Sequence, residues 1–418
     1  MPLSGLPIRA HRRFRRRVRG HAPDGLRAAI AAVSVFAAVV AWTLVTGPAA
    51  GGSDSSLCAL PRTRAHHSEG VSAWNAAYPR ARGDVDALMV FLAFPDAAPT
   101  ISPGELAADH FPATADFFAR ASYGTFRLRP RILPHWLRMP AASTAYGIGR
   151  DWSPALRARY LRDAVVAADR EVDFSRYGVV YLVADPDAPG VDPDATKVVN
   201  LGRPVRVDGA DLHRFVTVFE GHPPDVNVLA HETGHAFDLP DLYYRPPQGS
   251  NADWDTHVGD WDLMGSQFGL APDFFAWHKW KLGWLGRSQV RCVTEGGTHT
   301  FRLSPVEQRG GTKLLVLPAG LDGAVAIEAR AALGNDRLSC GQGVLMYRVR
   351  ADVSSGDGPV DVIDGHPGSG DCWESSVYPP LADAPLRSGE TYALGRSAHV
   401  HVADRHSDGS WTVQVTQG

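Results

Sequence analysis

Residues 231–243 read HETGHAFDLPDLY, and this run constrains the chain more tightly than any other. Two histidines four apart, His231 and His235, lie one above the other on a helix face, close enough to share one metal ion. Glu232, beside the first, faces the same open space, where it can take a proton from a metal-bound water. The pattern predicts a zinc hydrolase site carried on a helix. Pro223-Pro224 precede that helix, Asp225 is its expected N-cap, and Val226–Phe237 run without a breaker before Pro240 stops it. Two histidines and a glutamate at this spacing are only modestly specific, so the residues that follow decide.

A catalytic zinc takes three protein ligands and keeps one position open. One peptidase architecture draws the third ligand from a glutamate on a later helix, but no glutamate occurs between Glu232 and Glu295. The alternative takes it from just past the helix, six residues after the second histidine, where Asp241 stands; His257 and Asp260 are next in line. Reaching Asp241 requires a sharp turn at the helix C-terminus, usually at positive φ. Asp238 occupies that turn, and Asp tolerates left-handed backbone better than most residues.

Elsewhere the apolar pattern predicts strands at Ala87–Phe94, Phe126–Ile132, Val179–Val183 and Phe215–Phe219, and helices at Ala113–Ser122 and from Ser153-Pro154 onward. The second helix puts Leu156, Tyr160, Leu161, Ala164, Val165 and Ala168 on one face. The order β-α-β-α-β-β-α implies a twisted sheet backed by helices, with the histidines on the last helix. After Met264 an aromatic helix is expected over Pro272–Trp284, its aromatics serving the core. From Arg291 onward short alternating runs (HTFRLS, KLLVLP, GVLMYRVR, HVHVA, WTVQVT) read as a β-rich, sandwich-like module.

HETGHAFDLPDLY followed by GDWDLMGS (Gly259–Ser266) resembles the immune inhibitor A family of secreted zinc metallopeptidases, within the metzincin group. Residues 84–285 carry the resemblance, and the remainder is similar in arrangement. It implies an α+β fold: a metzincin-like catalytic domain of twisted mixed sheet, active-site helix, Met-turn and C-terminal helix, followed by the β-rich module. The family motif HExxHxxGxxD implies zinc ligands His231, His235 and Asp241, with Glu232 as general base and then acid. Met264 matches the methionine that lies beneath the metal without binding it. The departure is Asp238, where the family has glycine. Tyr243, Tyr244 and His257 are candidates to assist the oxyanion. A protein or peptide substrate is expected to lie extended along an edge strand near Phe215–Phe219.

The chain has 418 residues, 44% of them hydrophobic, and a formal net charge of −3. That suits a full core and gives no global electrostatic case for nucleic acid. Positive charge gathers at His11–Arg19, ahead of an uncharged run, Ala28–Thr46, and the small residues Ala49–Gly52. Basic, apolar, small is the order of a secretory signal. A retained single-helix anchor with the bulk outside is the competitor, and the only membrane contact expected. The expected division is 1–52 signal or anchor, 53–83 irregular lead-in, 84–288 zinc metallopeptidase domain and 289–418 β-rich module. Four cysteines in an exported chain imply two disulfides. Cys340–Cys372 is the favoured pair, leaving Cys58–Cys292; the competing role for Cys58 is to cap the zinc. Calcium is a second candidate metal, at Asp185, Asp187, Asp192 and Asp194 or at Asp253, Asp255, Asp260 and Asp262, although neither set has EF-hand spacing. His399 and His401 are expected at the surface. Two other functions compete with a secreted endopeptidase: a non-catalytic adhesion protein with a structural metal, and a zinc hydrolase acting on a non-protein amide.

Overall fold

A run with no charged residue, VVYLV at 179–183, can pair on both sides only if both of its faces are covered, and it lies at the centre of the first sheet. The computed structural model describes residues 55–246, 250–396 and 398–418. The stretches His11–Arg19 and Ala28–Thr46 lie outside the described residues. Among those described, no helix is long and apolar enough to cross a membrane.

The fold is α+β. Five strands, β1 (Gly83–Ala93), β2 (Phe126–Arg138), β3 (Val179–Ala184), β4 (Lys197–Val207) and β5 (Ala210–Val218), lie in the order β2-β1-β3-β5-β4. All neighbours are parallel except β4, which runs antiparallel to β5. Helices α1 (Pro103–His110), α2 (Ala113–Ala121), α3 (Pro154–Ala168), α4 (Val228–Ala236) and α5 (Ala276–Lys281) accompany the sheet. Alternation along β1 divides its faces. Leu88, Val90 and Leu92 pack with Tyr160, Leu161 and Val165 of α3, while Met89 and Phe91 share a core with Phe118 of α2 and Leu229 and Ala236 of α4.

Three expectations change. Phe215–Phe219 is not at the edge, because β5 is paired on both sides and β4 is the edge strand. The sequence KVVNLGRPVRV hides β4, since Gly202 and Pro204 count against a strand; an edge tolerates a proline because one row of its amides needs no partner. Second, α4 starts at Val228 rather than Val226. Asn227 lies at φ 58°, left-handed and outside the helix, so it takes the N-cap position from Asp225. The Asp225 carboxylate instead accepts from Gln267 Nε2 at 3.1 Å. Third, the aromatic helix spans only Ala276–Lys281. The amides of Phe274, Phe275, Ala276 and Trp277 are taken by side chains of Asp273, Asp262, Glu328 and Tyr347, and Gly283 at φ 76° ends the turn.

Beyond residue 289, strands β6 (Val290–Cys292), β7 (Gly297–Leu303), β8 (Leu314–Pro318), β9 (Gly323–Arg330), β10 (Gly343–Arg350), β11 (Val360–Ile363), β12 (Thr391–Ala393), β13 (Ala398–Arg405) and β14 (Trp411–Gln417) form two sheets, β11-β10-β9-β8-β6 and β12-β13-β14-β7. Leu315, Ile327, Val344 and Met346 of the first share a core with Val400, Val402, Val413 and Val415 of the second. The opposite face of that first sheet, with Leu314, Val316, Ala326, Leu345 and Tyr347, belongs to the same core as α2, α4 and α5. Residues Ser53–Gly418 accordingly make one compact unit. Cys58 pairs with Cys292 and Cys340 with Cys372, so Cys58 has no thiol left to cap a metal.

The lead-in is irregular in backbone and deeply built in. Glu69 is fully buried, its carboxylate 2.7 Å from His278 Nε2 on α5 and 3.3 Å from Lys281 Nζ. The other ring nitrogen of His278 lies 2.8 Å from Asp262 Oδ2, and Asp262 Oδ1 accepts from the Met264 amide at 2.8 Å. Burial opposes charge on His278, but Asp262 and Glu69 outweigh it and hold its pKa up at about 9. A pKa raised on folding stabilises fully below the unfolded value and is lost as pH rises through the folded one. Wild type should therefore lose on the order of 3 kcal/mol relative to His278→Phe between about pH 6 and 10. Denaturant titrations at stepped pH test this, and a pH-independent difference between the two proteins would overturn it.

Candidate metal centre

All nine residues of α4 are buried, which a helix carrying two histidines and a glutamate tolerates only if each polar group is satisfied. Thr233 ties the helix to the sheet, its Oγ1 lying 2.8 Å from the Tyr181 hydroxyl on β3. Beneath it passes the turn through Met264, which is fully buried; a Cβ added to Gly234 would lie 2.5 Å from Met264 Sδ, so helix and turn meet at a residue without a side chain.

The turn and the helix C-terminus orient both imidazoles. His231 Nδ1 donates to Leu263 O at 2.9 Å and His235 Nδ1 to Leu239 O at 2.8 Å. A carbonyl can only accept, so Nδ1 carries a proton in both rings, and Nε2 is the atom each ring leaves free to face a metal. The two Nε2 atoms are 3.2 Å apart, and Asp241 Oδ1 lies 3.3 Å from the first and 2.9 Å from the second. Zinc bonds of about 2.0–2.1 Å in a tetrahedron put neighbouring ligand atoms roughly 3.3 Å apart. The three atoms therefore outline one tetrahedral face, and the donor set fits zinc. Burial raises the Asp241 carboxyl, but the two imidazoles outweigh that and hold it well below the usual carboxylate range.

Glu232 is 8% exposed and accepts from the backbone amide of Val198 at 2.8 Å. That amide lies on the free side of edge strand β4, so Glu232 stands between the edge and the three ligating atoms. Burial raises its pKa above the ordinary carboxylate range, the direction useful to a base.

Of the remaining candidates, Tyr243 alone reaches the site. Its ring lies 6.4 Å from that of His231, nearly parallel to it, and burial, helped by Asp241 and Glu232, raises its pKa, so it remains a proton donor. Tyr244 and His257 turn instead to the β-rich part: Tyr244 bridges to Asp357, and His257 Nδ1 contacts Asp361 Oδ1. Asp260 is likewise engaged elsewhere, accepting from Ser376 Oγ at 2.6 Å. The two aspartate sets do not converge. Asp185 Oδ1 accepts from the Asp187 amide at 3.1 Å, Asp192 caps the turn at Asp194, and Asp262 is held by His278. Among the described residues, the one group of three or more ligating side chains that converges is His231, His235 and Asp241. His399 is exposed, and His401 meets Thr391 at 2.8 Å.

Two parts of the site come from far away in the chain. Ser355, in the loop after β10, donates from Oγ to Asp241 Oδ2 at 3.0 Å and accepts from the Asp241 amide at 2.8 Å. The lead-in supplies the other. Asp238 lies at φ 70°, the positive turn expected of it. Its carboxylate takes Arg62 Nη1 at 2.6 Å, His67 Nδ1 at 3.0 Å and Asn75 Nδ2 at 3.2 Å. The ring of His67 then lies 5.7 Å from that of His235 and lines the cleft. Asp238 thus points away from the ligands and anchors a second layer against them. Only the His66-His67 pair in the lead-in hinted at this; nothing marks Ser355.

Opposed effects meet at Asp238. Glycine would relieve about 1 kcal/mol of left-handed strain, whereas removing one partner of a buried ion pair costs about 3–5 kcal/mol. Asp238→Gly is therefore expected to destabilise the fold by about 2–4 kcal/mol in chemical denaturation. A stabilised variant would mean that backbone strain dominates.

No family model matches the chain, and no curated protein matches it either.

Proposed function

We propose that the chain is a zinc-dependent endopeptidase that hydrolyses peptide bonds in extended protein segments. The observation that carries this reading is the triangle of His231 Nε2, His235 Nε2 and Asp241 Oδ1, with Nδ1 of both imidazoles held by backbone carbonyls so that Nε2 faces the triangle. A buried carboxylate, Glu232, lies beside it on the cleft side, and a purely structural metal has no need of one. The helix above a buried methionine turn agrees with the resemblance to the immune inhibitor A family and with a metzincin-like catalytic half. Two disulfides suit an oxidising, extracellular compartment, whether the N-terminal segment is removed as a signal or kept as an anchor.

Zinc held by His231, His235 and Asp241 would supply an acidified water and a polarised scissile carbonyl. The protein's own groups do the rest. Glu232, aimed by the Val198 amide, accepts the water's proton and returns it to the leaving amine. Tyr243 keeps its proton and offers the O–H to the developing oxyanion. Ser355 fixes Asp241 so that one oxygen faces the histidines. The free edge of β4 offers backbone groups to a substrate strand.

Metal content and cleavage of an unfolded protein, measured together, test the assignment. Glu232→Gln should keep about one zinc per chain while its turnover falls on the order of 10³-fold. His235→Ala should lose the metal and all cleavage. Turnover undiminished in Glu232→Gln would refute the mechanism. Stoichiometric zinc with no cleavage by wild type would refute the enzyme reading. Ser355→Ala should weaken zinc binding about tenfold without unfolding the protein, read by competition with a chromogenic chelator; unchanged affinity would exclude that role.

A further inference from the structure

The cleft over the three ligating atoms has sides of opposite charge. On one, Arg150, Lys197 and Arg245 line the cavity that also holds Glu232, His235 and Asp241. Two of the three carboxylates there are already committed: Glu232 accepts from the Val198 amide, and Asp241 engages both histidines and Ser355. Asp194 is the third, set against three cations. Glu232 and Asp151 also act on Lys197, but its hydrogen bond and the ring contact of Arg150 are with neutral groups. Lys197 Nζ donates to the Arg150 carbonyl at 2.8 Å, and the Arg150 guanidinium lies 5.6 Å from the Trp254 ring centre. Lys197 is half-buried, and burial together with Arg157 and Arg245 lowers its pKa against the opposing pull of Glu232 and Asp151. Three cations lining one cavity with a single uncommitted carboxylate, Asp194, gain from a ligand that adds negative charge. The adjoining part of the cleft, which Arg150, Asp194, Tyr243 and Trp254 also line, carries Glu220, Asp225 and Asp255, which would repel the same ligand.

Position ties this charge to the reaction. Lys197 immediately precedes Val198, whose amide aims Glu232, so an extended segment beside β4 would meet Lys197 within a residue or two of the bond facing Glu232. We propose that Arg150, Lys197 and Arg245 bind a carboxylate of the substrate, making the cleft selective for peptide bonds next to an acidic side chain or near a free C-terminus. This rests on reading the site as a peptidase.

The test uses the full-length, zinc-loaded protein and a set of fluorogenic peptides. Each carries one Glu, its matched Gln or a Lys at successive positions around one scissile bond, with either a free or an amidated C-terminus. At the best position kcat/KM for Glu should exceed that for Gln by about tenfold, and Lys should fall below Gln. In Lys197→Glu and Arg245→Glu the Glu-to-Gln ratio should drop to one or less while Lys improves. That reversal is one a merely misfolded variant cannot produce. A preference that follows C-terminal amidation and ignores the Glu scan assigns the carboxylate to the chain end; the converse assigns it to a side chain. Glu and Gln ratios within twofold at every position and at both termini would overturn the proposal. If no peptide is cut, the peptidase reading fails separately, and fluorescence anisotropy of the same labelled peptides decides: tighter Glu binding, reversed in the charge-swapped variants, upholds the carboxylate site, and equal binding overturns it.

Discussion

The buried chain of contacts Glu69–His278–Asp262 is the interaction on which the rest of the structure depends. It joins the lead-in, α5 and the turn through Met264, three segments with no backbone ladder in common. A charged imidazole between two carboxylates, all fully buried, would be costly if any one were missing; together they fix the turn whose Leu263 carbonyl selects the tautomer of His231. The capacity of α4 to ligate is thus set from below, by groups that never face the cleft.

The same logic holds on the far side. Glu328 and Tyr347, on neighbouring strands β9 and β10, take the amides of Ala276 and Trp277 and so stand in for a local N-cap on α5. Arg330, fully buried, contacts Glu307, Glu328 and Asp336 and also holds the carbonyls of Ala271 and Asp273. The sheet that looks like an appended module in the sequence has one face inside the core that carries α4, and its loop at Ser355 reaches the third candidate ligand.

What the sequence disclosed follows from how local each feature is. His231, Glu232, His235 and Asp241 lie within eleven consecutive residues, and helix geometry plus one turn brings the two imidazoles and the Asp241 carboxylate together, so spacing pointed to the cluster and the family resemblance singled out Asp241 over His257 and Asp260. The strands of the first sheet with continuous apolar runs were legible from composition, and the even cysteine count gave two disulfides, with the pairing only favoured by Cys340 and Cys372 flanking one stretch. The edge strand β4 was not, because an edge obeys weaker rules than a centre and its glycine and proline suggest a loop. Nor were His67, Val198 and Ser355, which lie 168, 37 and 120 residues from His235 and are joined to the site by folding alone. The shortness of α5 was hidden for a related reason: the amides of Ala276 and Trp277 at its start are taken by Glu328 and the Tyr347 hydroxyl, both distant in sequence.

The burial of the β8–β11 sheet on both faces has a thermodynamic consequence. An element shared by two cores cannot open toward one without exposing the other, so the part that carries α4 and the β-rich part should unfold in a single cooperative transition. By linkage, a ligand seated on α4 stabilises strands it never touches. Amide exchange in β9 and β10 then becomes a remote gauge of what occupies the cleft.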